Sequence, residues 1–179
     1  AIAPAVVGVT ANYFFSERLG ILYNFFNGLW GFDWYDNVYD AYIYVFIAAS
    51  WKQISANFIF FLAGLQTIQK SIIEASIIDC KSSFRRFWTI TFPLLMPTTF
   101  FLIIINITYS FFDTLGIIDT TTIGAPSGET KTLVYKAYID GFRGLDLGSA
   151  GAQSIIMMLI VLVITVFQFR FIEGKIHYN

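Results

Sequence analysis

The chain has 179 residues, 56% of them hydrophobic and 13% charged, with a mean hydropathy of +0.66 and a net charge of −1. Soluble domains carry about a quarter charged residues, so the composition points to lipid as the main solvent. No basic stripe exists for nucleic acid, one Cys and one His exclude disulfide frameworks and most metal sites, and no phosphate-loop signature (GxxxxGKS/T) occurs.

A spanning helix needs about 20 mostly apolar residues. The first apolar stretch, Ala1–Phe15, is shorter than that, lacks a preceding basic region and contains Pro4, so it reads as the truncated end of another helix rather than a signal peptide. The chain is then expected to be the C-terminal part of a longer permease-sized protein. Segment 16–40 reads as an outer loop in which Trp30, Phe32, Trp34, Tyr35, Tyr39 and Tyr42 cluster. Such rings can stack on a sugar, but their position favours an interfacial aromatic belt anchoring the next helix.

The first full span is expected over Ala41–Leu65, with Lys52 its single charge. A charge facing lipid costs several kcal/mol, so Lys52 must face protein or a water-filled cavity. It can serve as a cationic contact for an anionic substrate or pair with a carboxylate on a neighbouring helix. Ser50, Gln53 and Asn57 stand at i, i+3 and i+7, forming one polar stripe. Asn106, Tyr109 or Ser110, and Asp113 repeat that spacing on the second span, Pro93–Phe112. One stripe is explained by interhelical hydrogen bonding; two on consecutive helices beside Lys52 suit a translocation pathway. Asp113 alone, at the outer end, reads as solvated.

Between these spans lies a charged insert, Glu74–Pro93 (EASIIDCKSSFRRFWTITFP). Ile73, Ile77 and Ile78 are expected on one face of a helix with Glu74 and Asp79 exposed. Lys81-Ser82-Ser83 breaks the period, Ser82 or Ser83 can cap a second short helix through Trp88, and Pro93 suits the first turn of the following span. Two short amphipathic helices along the membrane surface are the expectation.

Segment 113–147 reads as a second outer loop, with turn-rich IGAPSGET, a short amphipathic helix in TLVYKAYIDGF, and Gly141 and Gly144 breaking it. It suits a docking surface for a soluble partner and a plain packing loop equally. Glu129, Asp140 and Asp146 read as solvated loop charges. The last span, Gly148–Phe169, opens with GSAGA, small residues that let helices approach closely; His177 reads as a solvated tail residue. Lys70, Lys81, Arg85 and Arg86 in the insert, with Arg170 and Lys175 in the tail, place both on the cytoplasmic side. The fold class expected is an all-α integral membrane protein: a polytopic helical bundle, one domain over 1–179, with about four transmembrane helices and a cytoplasmic helical segment over 70–92.

The insert resembles the signature of binding-protein-dependent ABC importer permeases: EAA, three residues, Gly, nine residues, Ile-x-Leu-Pro. Glu74 and Ala75 match, Ser76 replaces the second Ala, Asp79 falls where that family often has Asp, and Ile90 and Pro93 arrive in register. Cys80 stands at the usual Gly and Phe92 at the usual Leu. A left-handed residue at Cys80 would cost about 1–2 kcal/mol, so the turn is expected to be built differently. WKQISANFIFFLAGLQTI, SFFDTLGIID and GLDLGSAGAQS with the tail QFRFIEGKIHYN look like the A-subunit type of glycerol-3-phosphate (Ugp-type) permeases in that family.

The resemblance implies that Glu74, Ala75, Ser76, Asp79, Cys80, Ile90 and Pro93 belong to a coupling segment docking an ATPase subunit. It also implies a bacterial inner-membrane location, two ATP-hydrolysing nucleotide-binding subunits, a second permease subunit and a periplasmic solute-binding protein. The implied cargo is glycerol-3-phosphate or a glycerophosphodiester, with a sugar or oligosaccharide as the alternative. Lys52, Gln53, Asn57, Asn106, Tyr109 and Asp113 are the expected substrate-pathway residues. No catalytic residue, cofactor or metal is called for. A membrane-embedded enzyme would need titratable groups gathered at one depth, which one His, one Cys and scattered carboxylates do not supply. Uptake driven by an ion gradient without ATP would instead mark a secondary transporter.

Overall fold

The computed structural model describes residues 3–80 and 82–172, excluding the side chains of Asp79, Phe171 and Ile172. Every regular element among them is helical: α1 Pro4–Phe14, α2 Ile21–Trp30, α3 Val38–Gln66, α4 Lys70–Asp79, α5 Ser83–Leu94, α6 Met96–Phe112, α7 Leu115–Thr120, α8 Leu133–Tyr138 and α9 Leu147–Ile172. Helices α3 and α9, with 29 and 26 residues, reach roughly 40 Å each at 1.5 Å per residue, enough to cross a bilayer. Large apolar side chains such as Phe46, Phe58, Val163 and Phe167 lie on their outer faces. That pattern suits lipid or further helices as the surroundings.

The third long apolar segment is not one straight helix. Residues Ser83–Leu94 and Met96–Phe112 meet at a bend of 69°, so the described residues hold two membrane-length helices, or three if the bent pair makes one span. The four expected spans are not reached: α1 has only 11 residues, and Pro93–Phe112 is broken at Leu95. The cause lies in Pro93 and Pro97, four apart. Proline lacks an N–H to donate and its ring collides with the carbonyl four residues back, so Pro97 cannot continue a helix that contains Pro93. Leu95 closes the preceding turn, its N–H shared between the Thr91 and Phe92 carbonyls at 3.1 and 3.0 Å. Phe87–Thr91, just before Pro93, is wound as a wider π turn, the usual accommodation of a strained helical ladder. Pro97, not Pro93, stands at the start of the long helix α6.

The tightest packing brings α1, α3 and α7 together. Gly8 of α1 lies so close to the Thr120 side chain that a Cβ there would collide with it, and a Cβ on Gly116 would lie 3.0 Å from Pro4. Val7, Ala11, Phe15, Ala41, Tyr44, Ala48 and Ile117 form the core with Phe32 and Trp34. Tyr44 packs tilted against Phe15 and Trp34, 4.6 and 5.0 Å from ring centre to ring centre, and its hydroxyl donates to Asn12 Oδ1 at 2.6 Å. Asn12 in turn donates to the Thr120 carbonyl.

Segment 16–40, expected as a loop, contains a helix, α2, bracketed by Gly20 and by Gly31 in the left-handed conformation (φ 74°), which glycine adopts without Cβ strain. Phe32 and Trp34 are buried core residues rather than belt residues, while Trp30, Tyr35, Tyr39 and Tyr42 are exposed. Asp40, 4% exposed, ties the preceding turn to α3 by accepting from the Asp33 N–H at 2.9 Å and from Trp30 Nε1 at 3.4 Å.

Segment 113–147 is about half helical and packs back on the bundle. Gly141 does not end a helix: α8 continues through a π turn, Ile139–Arg143, and stops at Gly144. A Cβ on buried Gly141 would approach Ala150 of α9 to 2.9 Å. Asp140 and Asp146 are engaged rather than merely solvated. Asp140 accepts from Gln153 Nε2 at 2.6 Å, and Asp146 accepts the Ser149 N–H at 3.0 Å in the first turn of α9. Glu129 is exposed, its carbonyl held by the Tyr42 hydroxyl at 2.8 Å. Asp119 pairs with Arg143 at 3.0 Å and holds the guanidinium pKa further up. Lys81, Lys175 and His177 lie outside the described residues.

Candidate functional site

Helices α3 and α6 run antiparallel and form a polar seam. One end is closed by Gly64, where a Cβ would lie 2.7 Å from Thr98 Oγ1, so only a hydrogen side chain allows this approach. Phe60 and Phe101 follow, edge to face at 5.5 Å. Next, Asn57 and Asn106 exchange two amide hydrogen bonds, at 3.2 and 2.8 Å, and Asn106 also donates to the Leu102 carbonyl at 2.7 Å. Half-buried amides satisfied in this way hold two apolar helices in one register.

Further along, the helices part around a cavity of about 330 Å³ lined by Lys52, Gln53, Asn57, Asn106, Tyr109 and Asp113, with Ser50, Ser110 and Thr114 beside them. Lys52 Nζ is ion-paired with the Asp113 carboxylate and lies 5.5 Å from the Tyr109 ring centre, within range of a cation–π contact. The two side chains are 12% and 31% exposed. All six residues expected along a pathway therefore share one cavity, and among its described lining residues Lys52 is the single cation. Both readings of Lys52 hold at once: it pairs with a neighbouring helix and it faces a cavity. Asp113 is a partner of Lys52, not a solvated end group. Thr114 and Ile117, at the start of α7, and Phe46 also line the cavity. Thr114 continues the α6 stripe eight residues after Asn106, a signal present in the spacing. Phe46 and Ile117 carry no such signal, being ordinary apolar residues brought in by the packing of α7.

The second candidate region is the charged insert. Glu74 and Ala75 are exposed on α4. Ile72, Ile73, Ile77 and Ile78 are all 39% exposed or more, and the residue turned inward is Ser76 at 4%. The expected division of α4 into an isoleucine face and an acidic face is thus absent. Ser76 can be buried because its hydroxyl donates to the Ile73 carbonyl at 2.6 Å, leaving no donor unmet. Ala75 and Ser76 border a shallow depression with Ser71, Ile72 and, from α5, Ile90, so the two halves of the signature meet in space. Cys80 ends α4 in an extended conformation (φ −122°, ψ 101°), so no left-handed strain arises there. Ser82 takes the capping position of α5 without a side-chain hydrogen bond, and the Asp79 side chain lies outside the described part.

Membrane-length apolar helices with a polar seam between two of them define an integral membrane protein. Residues 2–178 match the binding-protein-dependent transport system inner membrane component family, and the chain belongs to it. It is 53% identical over 181 residues to the sn-glycerol-3-phosphate transport system permease protein UgpA of Rhizobium meliloti (strain 1021), and 52% identical over 182 residues to that of Agrobacterium fabrum (strain C58 / ATCC 33970). To the protein of the same name from Escherichia coli O6:K15:H31 (strain 536 / UPEC) the identity is 47% over 181 residues. In each case all of this chain is covered and 61% of the relative, so the chain spans under two thirds of their length.

Proposed function

We propose that this chain is permease material of an ATP-driven importer, and that the α3–α6 cavity is part of the path for glycerol-3-phosphate or a glycerophosphodiester. The observation that carries the reading is the convergence of two polar stripes around one cation in an otherwise apolar bundle. A charge at membrane depth is retained where it meets a polar solute or a partner. The names of the relatives support the choice of cargo, and the family supports the importer class.

On this reading the chain hydrolyses nothing. Two nucleotide-binding subunits on the cytoplasmic side grip Glu74, Ala75, Ser76, Asp79, Cys80, Ile90 and Pro93, a second permease subunit completes the path, and a periplasmic binding protein delivers cargo. The lysines and arginines of the insert and tail favour a cytoplasmic α4–α5 and C-terminus. Exposed Glu74, Ile77 and Ile78 give a mixed acidic and apolar surface of the kind a protein partner covers. The bend at Leu95 joins this surface directly to α6, so movement of α4–α5 reaches Asn106 and Asp113 through one rigid helix.

The test is uptake into vesicles holding the full-length permease with its partner subunits. Glycerol-3-phosphate uptake that needs ATP and is competed by its diesters but not by maltose-like sugars is the expected result. Competition by sugars alone would move the cargo to the saccharide class. Uptake driven by an ion gradient without ATP would refute the importer reading.

A further inference from the structure

The acidic partner of Lys52 is placed where a helix does not favour an acid. Asp113 follows the last residue of α6, with its N–H bonded to the Tyr109 carbonyl at 2.8 Å. The free carbonyls and dipole of a helix C-terminus repel anions there. Its carboxylate is given no backbone N–H: among the described residues, Lys52 is its single hydrogen-bonding or ionic partner. Asp40 shows the contrast, being 4% exposed and held by the Asp33 N–H and the Trp30 indole. A backbone N–H and a second donor hold Asp40 in place. Asp113 is 31% exposed on the cavity side and bonded by a flexible lysine.

Stability does not account for the pair. Both side chains are partly exposed, and solvent-screened ion pairs contribute little net stability.

We propose, resting on the importer reading, that Asp113 is an internal competitor for the cargo anion: a phosphate ester reaches the Lys52 ammonium only by displacing the Asp113 carboxylate. The exchange needs no proton and no covalent step; one anion replaces another on Nζ while Tyr109, Asn57 and Asn106 remain as neutral lining. The displaced carboxylate swings toward the more exposed end of the cavity. The competition sets a threshold for entry. A phosphate monoester carries close to two charges at pH 7 and gains more from the Lys52 ammonium than a diester with one, while displacing Asp113 costs both alike. Neutral solutes gain nothing from Lys52 and are left with the threshold alone.

The experiment measures binding of sn-glycerol-3-phosphate and of its diester to the assembled full-length complex in nanodiscs, with and without Asp113→Asn. The substitution keeps shape and hydrogen bonding but gives up the competing charge, so binding of both anions is expected to tighten roughly fivefold, about the strength of a partly hydrated ion pair. Unchanged or weaker binding would overturn the proposal. If Asp113→Asn does not assemble, the wild-type complex with ¹³C-carboxyl aspartate gives a second reading. Adding glycerol-3-phosphate should shift a carboxylate infrared band that is missing in Asp113→Glu, and no such band would also refute displacement. A wild-type complex that binds neither anion removes the importer reading together with the proposal. One that binds anions identically to Asp113→Asn removes the proposal alone.

Discussion

Helix α3 is sealed over its first turns and open at its middle. Ala41, Tyr44 and Ala48 are buried beneath α1 and α7, and the nearby acid, Asp40, is fixed by a backbone N–H and an indole. Two turns on, Lys52, Gln53 and Asn57 face a cavity, and the acid there, Asp113, is held by one side chain from the opposite helix. One helix thus shows two uses of polarity inside a membrane protein. Where aromatic packing excludes water, polar groups are locked to neighbours. Where the helices diverge, they line a cavity. Buried polar groups need partners in either setting, and on the importer reading proposed above the cavity beside Asp113 lets its partner be exchanged.

This comparison is sharpened first in the sealed region. Tyr44→Ala would remove a fully buried ring and leave Asn12 without its hydroxyl donor, with an expected loss of about 3–5 kcal/mol. Denaturant or thermal unfolding in detergent measures it. Asp40→Ala, which strips two donors of a carboxylate, is expected to cost about 2 kcal/mol while leaving cargo affinity of the surviving folded protein unchanged. A cargo defect without a stability defect in either variant would break the distinction.

The smallest stability effect belongs to the seam. Asn57→Ala should lower unfolding stability by only about 0.6–2 kcal/mol, the range for interhelical hydrogen bonds in membranes, yet alter uptake, since Asn57 lines the cavity. A large stability loss with normal uptake would turn the Asn57–Asn106 pair into scaffold.

The sequence makes the seam legible because a helical period of 3.6 residues projects Ser50, Gln53 and Asn57 to one side, and Asn106, Tyr109 and Asp113 to another. The long spans are also readable: α3 covers Val38–Gln66 where 41–65 is expected, and α9 covers Leu147–Ile172 where 148–169 is expected. The Lys52–Asp113 pairing is not readable, because it depends on the antiparallel register of two helices 61 positions apart. The broken span was marked in the chain by Pro93 and Pro97, whose spacing of four removes a helical hydrogen bond. Helix α2 is hidden by its aromatic content, which matches a membrane-interface loop until Gly20 and Gly31 are seen as its two ends. Ser76 turns inward because tertiary placement of α4 against Ile90, not its own periodicity, selects the buried face.

The most direct test replaces both charges at once, Lys52→Met with Asp113→Asn, in the assembled importer. Without an orphaned charge the protein should fold as wild type, while glycerol-3-phosphate uptake falls at least roughly tenfold, the scale of one lost ion contact of about 1.4 kcal/mol. Uptake at the wild-type rate would show that the cation in the cavity never meets the cargo.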